Sequence, residues 1–241
     1  MCVIFFAYKY HPEYPLILLA NRDEYFSRAT ERAKNWDDFP LIMAGRDLVG
    51  GGTWLGVTEQ GRFAAVTNYR EPFAVKSART RGALVADFLK SDESAETYLK
   101  NIWKIKNEFS GFNLLLGEIN NQKSEIFYFS NRSNEITRLE KGLYGLSNHL
   151  LDTPWQKVIK GKAVLAEILK DEKFFKESFF ELLSDESLAD DEKLPDTGIG
   201  YEKEKLLSAI FIKTPIYGTR CSTVLTFDKD NRIHFEERVF V

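Results

Sequence analysis

Residues 2–24 read CVIFFAYKYHPEYPLILLANRDE, and the fold turns on them. Residues 2–8 are β-branched and aromatic, 11–15 hold two prolines and read as a turn, and 16–20 are a second unbroken apolar run. Two apolar runs joined by a short turn predict a hairpin of buried strands. Four polar residues, Asn21-Arg22-Asp23-Glu24, follow abruptly. In an antiparallel pair the end of the second strand lies beside the start of the first, so these four are expected near Cys2.

Outward from this hairpin, a second is predicted where Thr53-Trp54-Leu55-Gly56-Val57-Thr58 meets the turn Glu59-Gln60-Gly61 and residues 62–67 lead back. After Thr80 the period becomes helical: Leu84, Val85, Phe88 and Leu89 share one face, and Tyr98, Leu99, Ile102 and Ile105 another. Strands return at 112–117, 125–130 and 135–139. Thr153-Pro154 reads as a helix start, with Thr153 as N-cap, and the helix runs through Val158, Val164 and Leu165 to about residue 169. Residues 185–200 are acidic and loop-like. Segments 220–227 and 232–241 flank the turn Asp228-Lys229-Asp230-Asn231 as a closing hairpin. Strands and helices segregate along the chain, which predicts α+β layers and not a parallel doubly wound sheet. A length of 241 residues fits one domain spanning 1–241.

Composition narrows the function. Hydrophobic content of 44% with 29% charged residues is that of a globular chain, and 14% aromatic residues suit a strand-rich core. A net charge of −3, with both signs mixed, lacks the basic footprint of a nucleic-acid binder. Two cysteines are too few for a disulfide framework, and His11, His149 and His234 are scattered, so neither a metal site nor a cofactor is expected. The apolar start is short and runs into Lys9, His11 and Glu13, unlike a signal peptide. No segment reaches the roughly 20 apolar residues of a membrane span. A cytoplasmic setting is expected. Gly50-Gly51-Gly52 lacks a following Lys-Ser/Thr and is no phosphate loop.

By position alone, Cys2 reads first as a small core residue opening a buried strand. A second reading is chemical. Initiator methionine is removed when the next residue is small, and its loss would leave Cys2 with a thiol and a free α-amine. Their ordinary pKa values are about 8.5 and about 7.7–8.0, so the amine can act as base for the thiol near neutral pH. Arg22 and a carboxylate beside them could position that amine, tune the thiolate or hold substrate. They also read as a capped strand end with a surface ion pair.

Met1-Cys2, Asn21-Arg22-Asp23-Glu24, Gly51-Gly52-Thr53-Trp54-Leu55-Gly56, Thr67-Asn68-Tyr69-Arg70, Ser147-Asn148, Thr153-Pro154-Trp155 and Tyr217-Gly218-Thr219-Arg220 together resemble the NRDE family, whose eukaryotic members are called transport and Golgi organisation protein 2. The resemblance spans nearly the whole chain. It implies the N-terminal-nucleophile hydrolase fold, a four-layer αββα sandwich, and a link to haem handling and to acyl-CoA or lipid metabolism. In motif order the chain is also similar to choloylglycine hydrolases and penicillin V acylases. That similarity implies Cys2 as nucleophile and base, and Arg22 and Asp23 as groups orienting its amine. It implies Asn68 and Asn148 as holders of the oxyanion and amine, and Arg220 as a tuner of the thiolate. Asn21, Glu24, Trp54, Tyr69 and His149 complete the set as substrate contacts, with His149 also a candidate haem ligand. The family has Ser after Thr-Arg where this chain has Cys221, a second reactive thiol or a buried small residue. Two functions are therefore expected. One is a hydrolase or acyl transferase acting on a non-peptide amide, ester or thioester through a Cys2 acyl-enzyme. The other is a non-catalytic carrier or chaperone for haem or acyl-CoA.

Overall fold

A computed structural model describes residues 2–72, 77–133, 135–171 and 176–241. In chain order the strands are β1 (Cys2–Tyr8), β2 (Leu16–Tyr25), β3 (Thr30–Asn35), β4 (Ile42–Asp47), β5 (Leu55–Thr58), β6 (Arg62–Asn68), β7 (Phe112–Ile119), β8 (Ser124–Ser130), β9 (Glu135–Arg138), β10 (Gly142–Leu146), β11 (Tyr217–Phe227) and β12 (Ile233–Val239). The helices are α1 (Arg81–Lys90), α2 (Ala95–Ile105), α3 (Gln156–Ile168), α4 (Lys176–Leu183) and α5 (Tyr201–Leu206). The strands form a five-stranded sheet, β10-β1-β2-β11-β12, and a seven-stranded sheet, β3-β4-β5-β6-β7-β8-β9, antiparallel throughout.

The alternation of β1 explains the layering. Val3, Phe5 and Ala7 point outward and pack with Ile17, Leu19 and Val224 under Leu165 of α3 and Phe179 and Leu183 of α4. Ile4, Phe6 and Tyr8 point inward, with Leu16, Leu18 and Leu225, against Leu55, Val57, Phe63, Ala65 and Leu115 of the other sheet. On the far side of that sheet, Ala64, Val66, Leu114 and Leu116 meet Leu84, Val85 and Phe88 of α1 and Leu99 and Ile102 of α2. The layers run α, β, β, α, the expected sandwich. A strand buried on both faces needs no polar alternation, which is why residues 2–8 and 16–20 are unbroken apolar runs. Each such side chain contributes about 1.5–3 kcal/mol by leaving water.

Several elements differ from the sequence reading. The second strand does not stop at residue 20: β2 continues through the polar tetrad because β1 and β11 satisfy its backbone on both edges. β3 (TERAKN) and β10 (GLYGL) lack a strand's apolar signature and are specified by pairing with their neighbours. α3 begins at Gln156 with Trp155 in the cap position, not at Thr153-Pro154. The Thr153 hydroxyl instead donates to the Leu150 carbonyl at 2.8 Å. Gly52 is required by a close approach: a Cβ there would lie 2.3 Å from the Gly82 backbone, and this contact brings the start of α1 against the start of β5. Among the described residues no helix is long and apolar enough to cross a membrane.

Candidate active site

Strand register sets the site. Cys2 pairs with Arg22, and Arg22 pairs on its other side with Cys221, so the three side chains stand in a row. They share the inward face with Ile4, Ala20 and Leu225. Beyond that apolar layer the sheets part to leave a cleft of about 390 Å³. Cys2, Arg22, Asp23 and Glu24 form one wall, Trp54, Val66 and Asn68 the second, and residues 77–82 the third.

Cys2 is partly exposed. Burial pushes its thiol up and the Asp23 charge adds to this, while Arg22 pulls the other way. The Arg22 guanidinium lies 4.0 Å over the Trp54 ring and donates to the Thr30 hydroxyl at 3.1 Å. Asp23 is buried and accepts a 2.7 Å hydrogen bond from the Thr219 hydroxyl, which in turn accepts the Ile212 N–H. Burial pushes the Asp23 carboxyl above the usual carboxylate range, against the pull of Lys157 and Thr219.

Lys157, in the first turn of α3, is buried and donates to the Leu207 carbonyl at 2.9 Å. Burial lowers its ammonium to about 8, and Asp23 is the first group opposing that fall. Sequence reasoning missed Lys157, because a lysine on an amphipathic helix reads as solvated. It also missed Arg81, whose guanidinium lines the cleft and donates to the Gly111 carbonyl at 3.2 Å. The signal that could have found Arg81 is the pair Arg79 and Arg81 directly before an apolar helical face.

The two asparagines divide. Asn68 lines the cleft at the end of β6. Asn148 is fully buried behind it: its side-chain amide donates to the Asn68 carbonyl at 2.9 Å, and its own carbonyl accepts the Arg70 N–H. Next to it, the Ser147 hydroxyl donates to the Cys2 carbonyl at 3.4 Å.

Besides Asn148, four expected residues stand outside the cleft. Asn21 faces the helical layer by strand alternation, donating to the Leu183 and Ile210 carbonyls and accepting the Ser222 hydroxyl. Arg220 sits at a bulge of β11 and donates to the carbonyls of Tyr25, Phe26 and Arg28, fastening the turn between β2 and β3. The Tyr69 hydroxyl meets His149 Nε2 at 2.7 Å, and His149 Nδ1 meets the Thr153 hydroxyl at 2.9 Å. Burial and Arg70 pull that imidazole down, and both of its ring nitrogens are engaged in these contacts. Met1 lies outside the described residues. Among the described residues no cluster of three metal-ligating side chains occurs.

Cys221 opens elsewhere. It is 4% exposed and lines a separate cavity of about 250 Å³ with Glu237, Arg32 and Arg220. Arg22 and Trp54 line both cavities and form the wall between them. Burial and Glu237 hold the Cys221 thiol well above its usual range.

A thiol in a cleft wall, a buried carboxylate at the neighbouring strand end and a facing amide can together attack a carbonyl and hold the charge that develops on its oxygen. The sequence matches the family model for Transport and Golgi organisation 2 over residues 1–241. The transport and Golgi organization protein 2 homolog of Bos taurus is 36% identical, covering 99% of this chain and 92% of its own length. The Drosophila melanogaster protein of that name is 31% identical over 98% and 91% of the two chains. Among solved structures, a conjugated bile acid hydrolase from Clostridium perfringens superposes with a TM-score of 0.51 at 10% identity, covering all of this chain and 97% of its own. An N-acylethanolamine-hydrolyzing acid amidase ortholog from Caenorhabditis elegans gives 0.50 at 10% identity, covering 93% and 92%. These likenesses carry the fold, that of the N-terminal-nucleophile hydrolases. By the full-length match and the identities to its relatives, the chain belongs to the Transport and Golgi organisation 2 family.

Proposed function

We propose that this protein is an N-terminal-cysteine hydrolase or acyl transferase acting on a non-peptide amide, ester or thioester. The observation that carries this reading is the position of Cys2, in the wall of a cleft with Asp23 beside it and Asn68 across from it. With Met1 removed, the Cys2 amine takes the thiol proton and the sulfur bonds to the substrate carbonyl carbon. The carbonyl oxygen takes the displaced electron pair, and the Asn68 amide donates to it. Asn148 holds the Asn68 backbone in place, and Asp23, braced by Thr219 and favoured in its charged form by the Lys157 charge, orients the ammonium. Collapse breaks the bond to the leaving group, which carries away the proton from that ammonium. Water, giving its proton to the amine, then attacks the thioester; the acid departs and the thiol is restored. A second acceptor in place of water makes the same site a transferase. The two free thiols suit a reducing, cytoplasmic setting.

A carrier of acyl-CoA or haem in the same cleft is the second reading, favoured by the upward push of burial on the Cys2 thiol. Intact mass of protein from its native source, with and without an electrophilic acyl probe, separates the two. The enzyme reading expects loss of Met1 and an acyl adduct on Cys2. A native mass that retains Met1, with micromolar binding of either ligand and no adduct, would establish the carrier.

A further inference from the structure

The charges lining the cleft are unevenly matched. On the Cys2 side, Arg28 forms a bidentate pair with Asp47 at 2.7–3.2 Å, with Glu24 at 3.9 Å. Arg22 is stacked on Trp54 and bonded to Thr30, and Asp23 is held by Thr219. The opposite wall, residues 77–82, carries Arg79 and Arg81 and no acidic side chain. Arg79 meets Glu108 at 3.8 Å on the exposed rim and lies 5.6 Å from the centre of the Phe109 ring.

Arg81 is partly buried, and among the described residues the Gly111 carbonyl is its one hydrogen-bond acceptor, although a guanidinium carries five N–H donors. Burial pulls this guanidinium below its usual range. Of the groups that push back, the Cys2 sulfur comes first, ahead of Glu24. Glu24 and Glu71 act on it from farther off, and no carboxylate among the described residues pairs with it within 4 Å; a partly buried cation so placed gains from an arriving anion, and a planar fork of donors fits an oxyanion in two-point contact.

We infer that Arg81, with Arg79 beside it, seats an anionic group of the substrate, a carboxylate or a phosphate, within reach of Cys2. The inference rests on Cys2 being the group that meets substrate. It narrows the substrate class to acyl donors that carry a negative charge close to the scissile carbonyl. It also gives the third wall a role that neither the thiol nor its amine supplies.

Labelling of Cys2 by two small electrophiles of equal reach tests this. Iodoacetamide is neutral and iodoacetate is an anion that free thiolates attack more slowly. Peptide mass spectrometry keeps Cys2 and Cys221 apart. In the unmodified protein iodoacetate should label Cys2 faster than iodoacetamide, and the ratio should fall about tenfold in Arg81→Gln, the size of one charge-assisted contact. An equal slowing of both reagents in Arg81→Gln would assign Arg81 to the thiolate alone and overturn the anion seat. Should neither reagent label Cys2 in the unmodified protein, the nucleophile reading itself fails, a distinct result. Protection needs no variant: inorganic phosphate or acetate at millimolar concentration should slow iodoacetamide labelling of Cys2. Protection by phosphate alone identifies a phosphate seat, and protection by acetate a carboxylate seat. Protection by neither overturns the inference.

Discussion

Cys2 and Cys221 stand one strand either side of Arg22, on the same face of the same sheet, yet their surroundings differ. Around Cys2 the close charges include the cations Arg22, Arg81 and Lys157, with Asp23 the opposing carboxylate. Around Cys221 the dominant neighbour is Glu237, and the thiol is buried. The Arg22–Trp54 stack divides the cavities they face. Strand position alone therefore does not set the surroundings of a sulfur. The charges brought up from other layers and the wall between the cavities do.

The largest test of that contrast is substitution of each thiol. Cys2→Ser should lower acyl-probe incorporation by about a thousandfold, while Cys221→Ser leaves it within a factor of about two. Incorporation measured by intact mass checks both, and equal losses would erase the distinction.

Next in size is the buried cation that Cys2 has behind it. Lys157 is held near 8 in the folded chain, against about 10.4 when unfolded. Between those values the unfolded chain holds a proton that the native one lacks, so stability should rise with pH in this window. The cost of a charged, buried Lys157 is complete below about pH 8. The rise should amount to about 3 kcal/mol, and Lys157→Met should remove it. Urea midpoints at the two ends of the window, for both proteins, measure the difference.

Opening the dividing wall has a smaller effect. Trp54→Ala should raise iodoacetamide labelling of Cys221 about tenfold by joining its cavity to the cleft. Unchanged labelling would mean that the strands, and not the stack, seal that thiol. The smallest change is electrostatic: Glu237→Gln should lower the Cys221 pKa and raise its labelling about threefold at pH 8, read as a rate against pH.

The first hairpin was legible because a strand buried on both faces has an unbroken apolar signature, and nearly every residue of β1 and β2 up to 20 carries it. β3, β4 and β10 were not, since their polar and glycine-rich residues take strand form only when a neighbour supplies the ladder. Within the site, Cys2, Arg22, Asp23 and Asn68 could be read from motif order and antiparallel geometry. Asn21 could not be placed correctly from the motif alone: alternation turns it to the helices while Arg22 turns to the cleft. Arg81 and Lys157 escaped notice because their roles depend on burial by distant segments, and a charged residue in isolation gives no sign of that.

Gly45 lies on β4 and holds no functional group, but a methyl added there would fall 2.2 and 2.6 Å from two atoms of the Trp54 ring. A side chain at residue 45 would therefore displace the indole on which the Arg22 guanidinium is stacked. In a screen of substitutions this position would group with Arg22 and Trp54, the two residues of the wall between the cavities. Tolerance to substitution is thus restricted at a sheet position that lines neither cavity.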